Sequence, residues 1–188
     1  MTTTRTWEKI EIPTPGTFTL DPAHTEVSAV ARHLMVSKVR GTFGEVAGVV
    51  VIGEDPLEST VDVTIKAASI DTGHADRDGH LRSPDFLDAE TYPELTFRGT
   101  RVVKHSGDEF VLAGDLTIRG VTKEVELDVQ YAGVVTNPWG QQVVGFSAST
   151  ELDREEFGMT WNAALETGGV LVGRKLKIEI EAEAVRQA

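Results

Sequence analysis

The sequence predicts an all-β protein, an eight-stranded antiparallel barrel with a short helical insert (about 72–90) and an N-terminal arm at 1–16. Apolar and polar residues alternate along most of the chain, which is the period of a half-buried strand. Turn residues separate the alternating stretches at short intervals, and no helix-length connection gives a βαβ rhythm. An up-and-down barrel removes sheet edges, so it is favoured, and a two-sheet sandwich is the alternative.

The N-terminal arm is rich in Thr and Pro, so we expect it to contact the body at most through Trp7, Ile10 and Ile12. The remaining residues, 17–188, are expected to form one barrel domain, because no linker or repeat divides them. The corner at 34–39 is ambiguous and admits one helical turn. A short strand is predicted at 18–20. The eight long strands are predicted at 24–33, 41–52, 61–67, 95–104, 110–118, 124–131, 144–152 and 176–183.

The alternation stops at 71–97, a gap too long for a structureless loop in a compact domain. A helical segment at 74–82 should end at Ser83, because the residue before a proline avoids helical geometry. Ser83-Pro84 is also a helix-start signal, so the insert is predicted to hold one or two short helices. Phe86 and Leu87 supply its apolar contact with the barrel.

The composition limits the function. A net charge of −12 and a pI of about 4.8 oppose binding to nucleic acid. The absence of cysteine excludes thiolate metal sites, and no cofactor is expected. The first residues, MTTTRTWEKIEIPTPG, lack an apolar signal region, so a cytoplasmic location is expected unless a leader was removed. We expect no integral membrane segment, because no apolar run approaches the roughly 18 residues of a span.

The inward face of the predicted strands is almost free of charge and mixes large with small residues. An eight-stranded barrel either fills its interior with side chains or holds one small ligand. Small residues favour an apolar cavity, but they could equally accommodate neighbouring aromatic rings in a filled core. The small residues on this face are Ala29, Ala31, Ala67, Gly114, Ala148 and Ala182.

Four segments match a known family in order and at its spacing: LDPAHTEVSAVARHLMVSKVRGTF at 20–43, SIDTGHADRDGHLRSPDFLDAETYPELTF at 69–97, GDLTIRGVTKEVEL at 114–127, and LDREEFGMTWNAALETGGVLVGRKLKIEIE at 152–181. With them the chain resembles the YceI-like family of lipocalin-like, polyisoprenoid-binding proteins over residues 17–185. The resemblance implies a lipocalin-like barrel around an elongated tunnel for an isoprenoid or other long-chain amphiphilic lipid. It implies binding, storage or transport without catalysis, and it is compatible with a homodimer.

The sequence departs from the family pattern at two places. Ala29 stands where an aromatic residue is common, which is expected to widen the tunnel. Arg174-Lys175 stands where an acidic pair is common, which alters the charge near one rim.

The predicted ligand-binding residues are those whose alternation places them inside the barrel. They are Phe18, Val27, Ala29, Ala31, Val63, Ile65, Phe97, Leu112, Leu116, Val129, Phe146, Ile178 and Ile180. A second set is predicted either to hold a ligand head group or act as a lid, or to form a structural cap on one barrel end. We favour the structural cap. This set is Arg32, His33, Arg77, His80, Leu81, Arg82 and Phe86.

No catalytic or metal site is predicted. The five histidines form no HxH or HExxH pattern, and no motif places a nucleophile beside a base. His33 and His80 match family motif positions, where we expect them to satisfy buried backbone groups. The alternative functions are a barrel isomerase or cyclase acting on a sequestered isoprenoid, and a filled barrel that serves as an interaction module. The enzyme would need an ionisable group in the lumen, for which the candidates are His33, Glu45, His80 and Tyr131.

Overall fold

The predicted barrel is confirmed by the computed structural model, which describes residues 3–188. Short 3-10 turns lie at Pro56–Glu58, Ala67–Ser69 and Arg154–Phe157. The helix is α1 (Ala75–Arg82), and the strands are β1 (Thr4–Trp7), β2 (Ile10–Pro13), β3 (Gly16–Leu20), β4 (Glu26–His33), β5 (Ser37–Phe43), β6 (Val46–Ile52), β7 (Thr60–Lys66), β8 (Ile70–Asp71), β9 (Glu94–Ser106), β10 (Glu109–Ile118), β11 (Val121–Thr136), β12 (Gln142–Asp153) and β13 (Val172–Arg186).

The barrel closes on its long last strand. One edge of β13 pairs with β12, and the other pairs with β3 near the C-terminus and with β4 farther back. The antiparallel order β3-β6-β7-β9-β10-β11-β12-β13 therefore returns to β3. A β13 without a free edge has no exposed row of backbone groups for another chain to pair with.

Two of the barrel strands are bent, and each is divided into two segments, β3 with β4 and β5 with β6. β3 and β4 pair with the same edge of β13, β6 pairs with β3, and β5 pairs with β4. The bend between β5 and β6 falls at Gly44-Glu45, which accounts for the irregular apolar pattern at 41–52. In the ambiguous corner at 34–39, residues 34–36 form the turn between β4 and β5, and residues 37–39 already belong to β5.

The insert contains α1 and a series of turns. The side chain of His74 caps the helix at its start, and Ser83 ends it. Of the one or two short helices predicted, the insert contains one. After Ser83 the chain folds back, and the amides of Leu87 and Ala89 donate to the carbonyls of Leu81 and Arg82. Leu81 and Leu87 pack against the core at this end of the barrel, which we call the insert end.

The N-terminal arm contains an unpredicted β-hairpin, β1–β2. It lies at the opposite end of the barrel, which we call the hairpin end. Tyr131 Oη donates to the carbonyl of Glu11 at 3.0 Å, and Arg186 donates to the carbonyls of Thr14 and Pro15. These bonds attach the hairpin to β11 and β13. The division into an arm at 1–16 and a barrel at 17–188 stays a prediction.

Within residues 3–188, no helix combines the length and the apolar character that a membrane span requires.

Candidate functional site

The barrel encloses an apolar cavity of about 260 Å³. This is near the lower end of the roughly 300–1,000 Å³ typical of small-molecule sites. None of the lining residues is Asp, Glu, Lys or Arg within the described part of the chain. The lining residues are Trp7, Ile10, Ile12, Pro13, Leu20, Thr25, Val27, Val46, Val50, Ile52, Pro56, Leu57, Ser59, Thr60, Val61, Val63, Ile65, Phe97, Val102, His105, Gly107, Phe110, Leu112, Leu116, Val125, Leu127, Val129, Tyr131, Phe146, Ala148, Thr150, Leu152, Ile178, Ile180 and Ala182.

Most of the predicted ligand-binding residues line this cavity, and their contact with a ligand stays a prediction. The ten that line it are Val27, Val63, Ile65, Phe97, Leu112, Leu116, Val129, Phe146, Ile178 and Ile180. The register explains their convergence, because directly paired residues such as Val63 and Phe97 project from the same face of the sheet.

Phe18, Ala29 and Ala31 do not line the cavity. Phe18 is fully buried beneath the guanidinium of Arg186, whose carbon lies 4.7 Å from the ring centroid. Ala29 and Ala31 lie toward the insert end. There Ile70 packs so closely on Gly41, the cross-strand partner of Ala29, that a Cβ on Gly41 would lie 2.7 Å from Ile70 Cδ1. Because Ala29 does not line the cavity, the expectation that it widens the tunnel stays a prediction.

The small inward residues have different roles. A Cβ on Gly114 would lie 2.5 Å from Cζ of Phe97, so this glycine accommodates the aromatic ring. Ala148 and Ala182 line the cavity instead. Gly114 therefore makes room for an aromatic ring, as in a filled core, whereas Ala148 and Ala182 leave space for the cavity. Each of the two interpretations of the small residues holds at different positions.

The hairpin end supplies the polar part of the lining. Trp7 packs against His105 with tilted rings whose centroids are 5.2 Å apart. Nε2 of His105 is 3.3 Å from a carboxylate oxygen of Glu8. Burial raises the pKa of Tyr131, and the charge of Glu11 adds to this effect. The Tyr131 phenol therefore stays protonated at neutral pH and donates to the hairpin backbone. His105 and the hairpin residues were not predicted as lumen contacts from the sequence.

None of the seven predicted head-group or lid residues lines the cavity. Arg82 donates to the carbonyls of Ala68 and Ile70, both at 2.8 Å, and Arg77 donates to Oγ1 and the carbonyl of Thr72. These bonds attach α1 to the barrel end. The favoured structural cap is therefore present, and its arginines bind backbone carbonyls and Thr72 Oγ1.

His80 packs among aromatic rings. Its ring centroid lies 5.0 Å from that of Phe86 and 4.5 Å from that of Trp161, and its Nε2 is 2.9 Å from Oδ2 of Asp85. Its hydrogen-bond partner is thus a side chain, not the backbone group that we expected. Arg32 and His33 lie at the end of β4.

Asp78 is the buried carboxylate of the cap. Burial raises its pKa, but two hydrogen bonds from Thr72 and the charges of Arg82 and Arg77 outweigh burial and leave the pKa below its ordinary value. Because the pKa of Asp78 is lower in the folded than in the unfolded protein, the ionised carboxylate stabilises the fold at pH values above its ordinary pKa. This stabilisation is lost as the pH falls through the folded-state pKa.

We expect Asp78→Asn to lower the free energy of unfolding by about 1–2 kcal/mol at pH 7, because it weakens the bonds to Thr72. The difference from the wild type should shrink as the pH falls below the ordinary value of 3.8. Urea titrations at several pH values measure both effects. Asp76→Asn, on the exposed face of the same helix, is the control, and an equal loss there would contradict the role given to Asp78.

Arg154 is a structural residue that was not predicted from the sequence. It is 2 % exposed, and its guanidinium donates to the carbonyls of Gly173, Met159, Trp161 and Val172. The guanidinium carbon lies 5.8 Å from the ring centroid of Phe86. Arg154 therefore joins the 159–173 connection to the insert end.

Arg174 and Lys175 are partly neutralised. Arg174 Nε is 2.6 Å from Asp153 and 3.2 Å from Glu155, and Lys175 Nζ is 3.9 Å from Glu151. The expected change of charge at the rim is therefore reduced by neighbouring acids.

One group of potential metal ligands comes together in the described part of the chain, at Asp21, His24 and Glu183. His24 Nδ1 is 2.8 Å from Asp21, and this contact lowers the pKa of Asp21 and raises that of His24. The ion pair accounts for the arrangement, which lies on the protein surface.

The closed antiparallel barrel and its apolar cavity define a lipocalin-like barrel protein. A family model described as "YceI-like domain" matches residues 18–184, and the chain belongs to this family. The predicted resemblance is therefore confirmed. A UPF0312 protein of Staphylococcus epidermidis is 43% identical over 169 residues, which cover 88% of this chain and 95% of that protein.

Solved structures share the fold. The YceI protein of Campylobacter jejuni is 32% identical with a TM-score of 0.71, covering 84% of this chain and 90% of that one. BcnA of Burkholderia cenocepacia has a TM-score of 0.76 at 23% identity, covering 87% and 98%. A polyisoprenoid binding domain from Saccharophagus degradans has a TM-score of 0.64 at 15% identity, covering 90% and 98%.

Proposed function

We propose that this protein binds the hydrocarbon chain of an isoprenoid or similar amphiphilic lipid in the barrel cavity, and that it stores or carries the lipid without chemical change. The observation that carries this proposal is an enclosed lining without Asp, Glu, Lys or Arg in the described residues. Such a lining favours an apolar ligand, since each buried methylene contributes about 0.8 kcal/mol. The solved polyisoprenoid binding domain of the same fold supports isoprenoids as the first class to test.

The polar groups of the lining suggest the orientation of the ligand. His105, Ser59 and Thr60 lie at the hairpin end, whereas the lining is almost entirely aliphatic and aromatic toward Leu116 and Leu152. A polar head near the hairpin and a hydrocarbon tail toward the insert would leave few buried polar groups without a partner. We therefore propose that the lipid lies along the barrel axis with its head near His105.

The enzyme alternative receives less support. His33, Glu45 and His80 do not line the cavity. Among the described residues, the two ionisable side chains that do line it are both engaged at the hairpin end. Tyr131 Oη donates to the carbonyl of Glu11, and His105 Nε2 is 3.3 Å from a carboxylate oxygen of Glu8. The filled-barrel alternative requires an interior without a cavity, whereas the barrel encloses about 260 Å³.

The test is the melting temperature with saturating geranylgeraniol and, separately, oleamide. A ligand at about 100 times its dissociation constant stabilises the fold by about 2.7 kcal/mol, which predicts a rise of about 5–10 °C for a domain of this size. Native mass spectrometry of protein isolated from its own host should show a lipid adduct. No rise with either probe, together with a ligand-free mass, would contradict the proposal.

A further inference from the structure

The turn between β4 and β5 exposes an apolar surface. Met35 and Val36 are 60 % and 80 % exposed, and Leu34 and Val170 are also exposed. The four residues are neighbours, because the amide of Leu34 donates to the carbonyl of Leu171 at 2.9 Å, and a Cβ on Gly169 would lie 3.3 Å from Cγ of Met35. We call these four residues the tip patch. Contiguous exposed apolar patches commonly mark interaction sites.

The backbone of the tip patch is strained. Leu34 has a φ of 51° and Met35 a φ of 64°, a left-handed conformation that favours Gly, Asn or Asp. The exposed side chains of this turn gain little from burial in the fold. The turn thus retains apolar residues where a polar turn residue would be more stable, which indicates a contact outside the chain.

The charge around the tip patch is opposite to that of the whole protein. Residues 27–44 contain Arg32, Lys38 and Arg40 but no Asp or Glu, in a chain of net charge −12. Arg32 and Lys38 are directly opposite in the β4–β5 register, an arrangement that destabilises a sheet. Neither has an ion-pair partner among residues 3–188, whereas Arg40 pairs with Glu179 at 2.6 Å.

Two acids close to β13 are already paired. Asp153 and Glu155 both form ion pairs with Arg174. Glu166, in the connection that carries Val170, has no ion-pair partner among residues 3–188. Arg32 and Lys38 are therefore two unpaired cations directly behind the apolar tip, with one unpaired acid on the neighbouring connection.

We propose that the tip patch docks on the surface of an anionic lipid bilayer. Lys38 lies two residues, or about 7 Å along an extended strand, behind Val36. Interfacial apolar segments enter the boundary of head groups and acyl chains by about 5–10 Å, so this spacing places Lys38 and Arg32 at the level of the lipid phosphates. A symmetric contact between two copies would instead bring like charges together.

Sedimentation with vesicles tests this proposal independently of the cavity. We use vesicles of phosphatidylcholine alone and vesicles of equal parts of phosphatidylcholine and phosphatidylglycerol. The wild type should sediment with the anionic vesicles, and less at high salt. The double variants Met35→Ser/Val36→Ser and Arg32→Gln/Lys38→Gln should each lower the bound fraction by about tenfold or more.

Two double variants away from the tip patch serve as controls. Val135→Ser/Trp139→Ser removes apolar residues that are 64 % and 82 % exposed at the hairpin end. Lys9→Gln/Lys104→Gln removes the same charge as the cation variant. Both should bind like the wild type, and circular dichroism should show that all variants fold.

Three outcomes would overturn membrane docking. They are failure of the wild type to sediment with anionic vesicles, an equal loss in the control variants, and a concentration-dependent dimer without vesicles that Met35→Ser/Val36→Ser dissociates.

Discussion

Replacing Ala148 with Phe is expected to weaken lipid binding by about 100-fold while the barrel still folds. Ala148 pairs with Val129 on one side and Ile180 on the other, and all three line the cavity. A phenyl ring there displaces about four methylene groups of a ligand, a loss of about 3 kcal/mol or about 100-fold in affinity. Isothermal titration with geranylgeraniol measures the loss, and circular dichroism measures folding.

Two control variants test whether the loss of affinity depends on the position of the added ring. Ala132→Phe adds the same ring at an exposed position of β11 and should leave binding unchanged. Ala29→Phe adds it on the inner face but outside the cavity, so it should strain the contacts around Ile70 more than it affects binding. Full affinity in Ala148→Phe would show that the ligand does not occupy the barrel axis.

Replacing Arg154 with Met is expected to destabilise the fold more than any of the other substitutions. Met preserves much of the side-chain volume, but it removes hydrogen bonds to four backbone carbonyls, of which the Val172 carbonyl retains a bond from Asn162 Nδ2. Loss of a buried, fully bonded cation costs about 3–5 kcal/mol, or a fall in melting temperature of roughly 6–20 °C for a domain of this size. Denaturant titration and differential scanning calorimetry measure the two quantities.

Arg98→Met is the matched control for Arg154. Arg98 is exposed and only 3.6 Å from the exposed Asp62, so its removal should change stability by less than about 1 kcal/mol. If Arg154→Met melts within a degree or two of this control, the carbonyls around Arg154 must find other partners, and its structural role would be smaller than the geometry indicates.

The barrel could be predicted because its main signal is local. Alternation identifies a half-buried strand without knowledge of its partner, and short turns imply antiparallel neighbours. The hairpin β1–β2 was not predicted because each of its strands has only four residues in a Thr-rich stretch. The sequence left open whether the insert holds one helix or two. The structure has one, because the amides after Ser83 bond back to the end of α1.

The cavity was predicted less completely than the barrel. Alternation tells which side of the sheet a residue faces, but not how far along the axis it lies. Val63 and Ala29 both face inward, yet only Val63 lines the cavity. Ile70 of β8 packs against Gly41, the cross-strand partner of Ala29, and alternation does not reveal this neighbour. Arg154 was missed for a similar reason, since its burial depends on a connection without periodic pattern.

The hairpin has a consequence for comparison within the family. The family match begins at residue 18, yet Trp7, Ile10, Ile12 and Pro13 form part of the cavity wall. The hairpin therefore shapes the proposed ligand site from outside the region that the family model matches. We expect that exchanging the hairpin between family members would change the length and width of the ligand that the cavity accepts.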